Sequence, residues 1–212
     1  GGGGAATSVL MGANVADEVA RGDFCEATLG CVSEEEGRRL VRVLDQPGGA
    51  FRVQRVPEVG PVELCGALKN VVALAAGFAD GLGLGGNSKA ALVRVGLKEM
   101  LRCGQEVLGG MAAGTLLESC GVADVVTSCY GGRNRRVAAA FAQANGTRSW
   151  EELEGELLGG QKLQGTSTVL SLHQVLEQAG LTHCFPFFET IHQIVVGSLE
   201  PRAILDRTSS YY

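Results

Sequence analysis

A basic surface is missing from this chain. Lys and Arg number 18 against 23 Asp and Glu, a formal net charge of −5. A nucleic-acid backbone needs the opposite balance, so nucleic acid is excluded as the main partner. Cysteine pairs at metal or redox spacing are missing as well. Cys25, Cys31, Cys65, Cys103, Cys120, Cys129 and Cys184 are odd in number, none stands in C-x-x-C, and most lie in apolar segments. They read as reduced core thiols of a cytosolic protein. His173, His183 and His192 show no metal spacing with those cysteines, so no metal site is expected. No apolar run of membrane-spanning length is free of charge, since Lys69 interrupts the best one. No membrane partner is expected, and no signal peptide is visible. The first residue is Gly1 rather than Met, and the four leading glycines read as a flexible leader on a piece of a longer protein.

What is present is globular: 45% apolar and 19% charged residues, with 32 glycines that imply many tight turns. Ser8–Met11 reads as a strand, Asn14–Arg21 as a brief helix or turn, Glu26–Val32 as a strand and Phe51–Val56 as a third. Between the last two, Ser33–Leu44 is amphipathic, with Ser33 at the N-cap and Glu36 at the capping-box position. After Pro57 the alternation of strands fades. Helical periodicity marks 61–80, 88–103, 113–126, 133–144, 149–159 and 166–179, and no element is assigned beyond. The fold expected is mainly α: a partial α/β piece over 1–57, then a helical domain over 58–212.

Gly81-Leu82-Gly83-Leu84-Gly85-Gly86 fits the G-x-G-x-x-G pattern, but an alanine-rich helix precedes it and no second strand follows. A dinucleotide fingerprint has meaning only between a strand and a helix. Those glycines read as an inter-helix turn, with Asn87 and Ser88 capping the next helix.

Two segments carry chemistry. Lys69 sits inside Glu63–Gly77, among alanine, leucine and valine, and on a helix it shares a face with Cys65, Gly66, Val72 and Ala73. An unpaired ammonium there is costly, so it must reach an anion, water or a ligand, or snorkel along its aliphatic stem. Asp124 lies between apolar residues, and Ser128 follows at i+4 on the same helical face. Gly131-Gly132 then frees the backbone before Arg133-Asn134 and a helical stretch. A glycine pair, helix-start amides and an arginine fork suit a phosphate oxyanion, although a surface arginine after a turn has the same outline.

ELCGALKN, GLGLGGNSKAA, ESCGVAD with SCYGGRN, GQKLQG and, near the start, SVLMGAN resemble the cytosolic NAD-dependent glycerol-3-phosphate dehydrogenase family. The resemblance runs in order from about Ser8 to about Phe188. It implies an oxidoreductase interconverting dihydroxyacetone phosphate and glycerol 3-phosphate with NADH, cytoplasmic and homodimeric, with a Rossmann domain before a helical substrate domain. By motif match, Lys69 is the active-site lysine and Asp124 its catalytic companion. Arg133 and Asn134 clamp the substrate phosphate, and Asn70 and Ser128 complete the polar network. Ala16, Arg133, Lys162 and Gln164 contact the NAD cofactor. At Ser128 the family usually carries threonine; serine keeps the hydroxyl. The family's glycine fingerprint does not precede Ser8, so residues 8 to about 57 are expected to be the last strands of its parallel sheet. The chain by itself is expected to hold the cofactor poorly and to be inactive. A silent, dimerising or phosphate-binding helical module is the alternative.

Overall fold

Strands end where the alternating pattern ends. The computed structural model describes residues 7–46 and 48–208, so the glycine leader Gly1–Gly4 lies outside the described residues. Strands β1 (Val9–Met11), β2 (Cys25–Gly30) and β3 (Phe51–Val56) form a three-stranded sheet in the order β1-β2-β3, with helices α1 (Ala16–Arg21) and α2 (Glu34–Leu44) between them. From Val59 onward the described residues form helices and turns: α3 (Val59–Gly81), α4 (Gly86–Glu106), α5 (Ala113–Leu117), a π turn (Ser119–Ala123), α6 (Asp124–Gly131), α7 (Arg133–Gln143), α8 (Trp150–Leu158), α9 (Gln164–Gln178), a 3-10 turn (Thr182–Cys184), α10 (Pro186–Val195) and α11 (Ala203–Thr208). The mainly helical reading holds. The chain separates into two compact units, one of residues 1–66 with 104–124, the other of 67–103 with 125–212.

In the first unit β2 and β3 run parallel, Ala27 opposite Val53, but β1 runs antiparallel to β2, Leu10 opposite Leu29. A wholly parallel sheet was expected. The difference lies in the connections. A parallel pair needs a covering crossover; α2 provides one, laying Leu40, Val41 and Leu44 on Leu29, Cys31 and Val53. The six-residue α1 buries none of its side chains, so it covers nothing and the chain simply returns beside β1. Ser33 caps α2 as its sequence position requires, its hydroxyl accepting the Glu36 N–H at 3.2 Å.

The single helix expected over 113–126 is broken. Glu118 is extended (ψ 177°) between α5 and the π turn. The following residues bind the sheet instead of prolonging α5: Ser119 Oγ donates to Glu26 O at 2.6 Å, and Cys120 N–H donates to Thr28 Oγ1 at 3.0 Å. Thr28 is wholly buried, so its hydroxyl needs that partner. Gly121 is required here, because a Cβ would stand 2.0 Å from Leu116 O.

The second unit is built on the C-terminal part of α3, where Val71 through Ala76, Phe78 and Ala79 are fully buried. Glycines admit its neighbour: a Cβ on Gly77 would meet Ala138 Cβ at 2.6 Å, and one on Gly81 would meet Ala142 Cβ at 2.8 Å, so α7 lies close against α3. Phe141 stacks on Trp150 with ring centres 4.1 Å apart, and Phe78 tilts against both. As a whole α3 is long and apolar enough to cross a membrane, yet 67% of its most apolar window is buried inside the protein, the behaviour of a core helix.

Two departures concern helix starts. α4 begins at Gly86, so Asn87 and Ser88 lie in its first turn and do not cap it. Helix α10 was not anticipated, although Pro186 at its start and apolar Phe187, Phe188, Ile191 and Ile194, all buried, carry helical spacing. Its N-terminus is satisfied from α4: Glu99 accepts the N–H groups of Phe187 and Phe188, both at 2.8 Å.

Candidate active site

Within the second unit, three helices meet through side-chain amides. Asn134, the second residue of α7 and 6% exposed, donates Nδ2–H to Asn70 Oδ1 at 2.9 Å and accepts the Gly165 N–H on its Oδ1 at 2.8 Å. Asn70 in turn donates to Ala67 O at 3.3 Å within α3. The start of α7, the middle of α3 and the start of α9 are therefore tied at one point. A Cβ on Gly165 would stand 2.8 Å from both Asn134 Oδ1 and Asn70 O, so only glycine allows the approach.

Lys69 precedes Asn70 on α3 and is half-buried, with Leu68, Val71 and Val72 buried around it. Its facial neighbour one turn back, Cys65, adds no charge to α3: the hydrogen bond to Cys120, then burial, push its thiol far above the ordinary cysteine range. Arg133 opens α7 after Gly132, is exposed, and donates Nη1–H to Gln161 Oε1 at 2.6 Å. The Gly132 N–H bonds Ser128 O at 3.1 Å, which fixes the turn from α6 into α7. Ser128 is half-buried, one turn along α6 from Asp124.

Lys162 and Gln164 lie at the entry to α9. Lys162 is 76% exposed and pairs at 3.1 Å with Glu154, which is 7% exposed and also accepts the Leu163 N–H. Gln164 is exposed in the first turn. Two residues belong to the first unit. Asp124, 3% exposed, opens α6 directly out of the π turn, its own N–H bonded back to Ser119 O. Ala16 opens α1 and is exposed.

Hydrogen bonds thus bring Asn70 and Asn134 together, with Arg133 at the start of α7 and Lys162 just before α9 in the same unit, and Lys69 next to Asn70 on α3. Ala16 and Asp124 belong to the other unit. Sequence reading named neither Gln161 nor Gly165 as a site residue, although both stand in the GQKLQG motif it singled out. The signal was a glycine at the start of a helix, where backbone approaches closely. A cation set in an apolar helix, an arginine at a helix start and a bonded pair of asparagines can together orient an anionic, oxygen-rich substrate.

The fold that carries these features is that of a dehydrogenase C-terminal region. The model of the family described as NAD-dependent glycerol-3-phosphate dehydrogenase C-terminus matches residues 58–206, and the chain belongs to the NAD-dependent glycerol-3-phosphate dehydrogenase family. It is 52% identical over 198 residues to a chloroplastic glycerol-3-phosphate dehydrogenase [NAD(+)] of Arabidopsis thaliana, covering 93% of this chain and 49% of that protein. It is also 52% identical over 188 residues to the cytoplasmic human enzyme of that name, covering 88% and 53%. Among solved structures, glycerol-3-phosphate dehydrogenase of Plasmodium falciparum superposes with a TM-score of 0.91 at 41% identity, covering 95% of this chain and 56% of that one. The chain spans about half the length of the curated relatives it matches.

Proposed function

We propose that this chain supplies the substrate side of a glycerol-3-phosphate dehydrogenase, which interconverts dihydroxyacetone phosphate and sn-glycerol 3-phosphate with NADH. The observation that carries the reading is the hydrogen-bonded link Gly165–Asn134–Asn70, which holds the helix of Lys69 and the helix start of Arg133 in fixed register. Family membership supplies the chemistry. A silent helical module is the less favoured reading, since the relatives matched are dehydrogenases.

Reduction of the ketone builds negative charge on its oxygen. The Lys69 ammonium donates a hydrogen bond to that oxygen as the charge grows and delivers the proton that completes the alcohol. Asp124 supplies the buried carboxylate of the site. Arg133 and Asn134, with Ser128 and Asn70, hold the phosphate away from the reacting carbon, so that remote binding fixes orientation. The NAD cofactor, when bound, supplies the hydride. Arg133, Lys162 and Gln164 are exposed donors at or beside helix starts, a set suited to a dinucleotide's phosphates, with Ala16 the contact from the first domain. In this proposal residues 1–57 are a piece of the nucleotide-binding domain and residues 58–212 the substrate-binding domain. The compartment proposed is the cytoplasm. A homodimer is proposed too, consistent with apolar Leu170 and Val175 left exposed on α9.

Phosphate anchoring gives the test. The full-length protein is expected to oxidise NADH with dihydroxyacetone phosphate and to work far more slowly on dihydroxyacetone, whose reacting carbonyl is the same. Equal rates on the two would remove Arg133 and Asn134 from the site, and no NADH oxidation with either would favour the silent module.

A further inference from the structure

Helices α9 and α10 bring together two histidines and a carboxylate that the proposed chemistry leaves unused. His173 Nδ1 lies 2.8 Å from Glu189 Oε2, and His192 Nδ1 lies 3.6 Å from Glu189 Oε1, so each imidazole faces its own oxygen of one carboxylate. The two rings stack with centres 3.7 Å apart and planes 7° from parallel. His192 Nδ1 is buried and makes no hydrogen bond, an unmet nitrogen against a carboxylate. Among the described residues, one ligand atom from each of His173, Glu189 and His192 lies within 4.8 Å of the other two.

We propose that His173, Glu189 and His192 form a binding site for a divalent transition-metal ion of the zinc class, clamping α9 to α10. Two ligand atoms at zinc–nitrogen and zinc–oxygen distances, about 2.0–2.1 Å from a tetrahedral centre, stand roughly 3.3 Å apart. The observed separations of 2.8 and 3.6 Å, each to a different oxygen of Glu189, lie on either side of that value; to ligate one ion the two rings, now stacked with centres 3.7 Å apart, turn out of parallel until both planes pass through it. Imidazole and carboxylate ligands suit zinc, cobalt and nickel better than magnesium or calcium, which take oxygen shells.

The surroundings support the assignment. Glu189 and His192 are three apart on α10 and so share a face, while His173 approaches from α9. The side chains are 14–24% exposed, sheltered but open enough for a water to complete the shell. Gln193 donates to Glu189 Oε1 at 2.9 Å and orients the carboxylate, as outer partners of metal ligands do. Glu177, one turn along α9 from His173, adds negative field. The sequence hides the arrangement, because its ligands come from two helices and His173 and Glu189 are 16 residues apart.

The experiment is titration of the purified, reduced chain with Zn2+ by calorimetry, and with Co2+ by absorption spectroscopy. One equivalent is expected to bind and to raise the thermal midpoint, with a visible cobalt spectrum and no thiolate charge-transfer band. His173→Gln and His192→Gln are each expected to weaken binding at least tenfold and to lose the midpoint rise, and Gln193→Ala to weaken it by about 10–100-fold. Far-UV circular dichroism shows that each metal-free variant is folded. Absence of binding, binding unchanged in the two histidine variants, or a thiolate band that moves the ion to the cysteines would overturn the proposal.

Discussion

Asn134 donates its side-chain amide to Asn70 across 2.9 Å, joining residues 64 positions apart in the chain. Because Asn134 follows Arg133 and Asn70 follows Lys69, this one bond sets the register between the proposed phosphate anchor and the proposed carbonyl donor. Distance along the sequence between the two is thereby replaced by a fixed spacing across two packed helices, which is the geometry that orientation of a small substrate demands.

Lys69→Met in the full-length protein is expected to cut kcat by about two to three orders of magnitude, the usual loss when a donor to a developing oxyanion is removed. Binding of a phosphate-bearing substrate should persist, since Arg133 and Asn134 are untouched. Steady-state kinetics with a competitive phosphate ligand separates the two effects. Near-normal turnover would return Lys69 to a snorkelling surface role.

Arg133→Lys exchanges a planar fork for a point charge and also loses the geometry that now reaches Gln161. A raised KM for dihydroxyacetone phosphate and a lowered kcat are expected together. Unchanged values of both would mark Arg133 as an ordinary exposed arginine.

Gly165→Ala forces a methyl to within 2.8 Å of Asn134 Oδ1 and the Asn70 carbonyl, in contact with backbone that cannot easily yield. Overpacking of this kind costs about 1–3 kcal/mol. Urea denaturation of the chain should show a lower midpoint at unchanged slope, and the full-length variant should lose activity. A wild-type midpoint would mean that α3 and α9 separate freely.

Glu99 links stability to pH. Burial, opposed in part by the Phe187 and Phe188 N–H groups and by Arg102, pushes its carboxyl up to about 7 from an ordinary value of 4.5. The folded protein therefore holds a proton there that the unfolded chain has already released. The stability this brings is complete below about pH 4.5 and is lost as pH rises through 7, by on the order of 3 kcal/mol. Glu99→Gln should remove that slope from the unfolding free energy measured between pH 4.5 and 7. An identical slope in the variant would place the titration elsewhere.

Much of the architecture was legible. Alternation marked β2 and β3, Ser33 marked the start of α2, and apolar periodicity with glycine punctuation marked α3, α4, α7, α8 and α9, because these signals are local and operate within one turn or one pleat. The chemical residues were legible as anomalies: Lys69 in an apolar helix, Asp124 between apolar neighbours, Arg133 after a glycine pair. The breaks were not. Residues 113–126 have helical content throughout, and the interruption at Glu118 comes from Ser119 and Cys120 bonding Glu26 and Thr28, more than 90 positions away.

The sequence by itself determined the helical class, the family, and which side chains carry charge into apolar surroundings, since composition, motif and periodicity are properties of the chain. Tertiary structure alone decided which of those side chains meet. It paired Asn70 with Asn134, set Glu99 on the start of α10, reversed β1 against β2, and brought His173 and His192 to one carboxylate. Each of these is a contact between separate elements, and its energy depends on desolvation and distance, neither of which exists until those elements have packed.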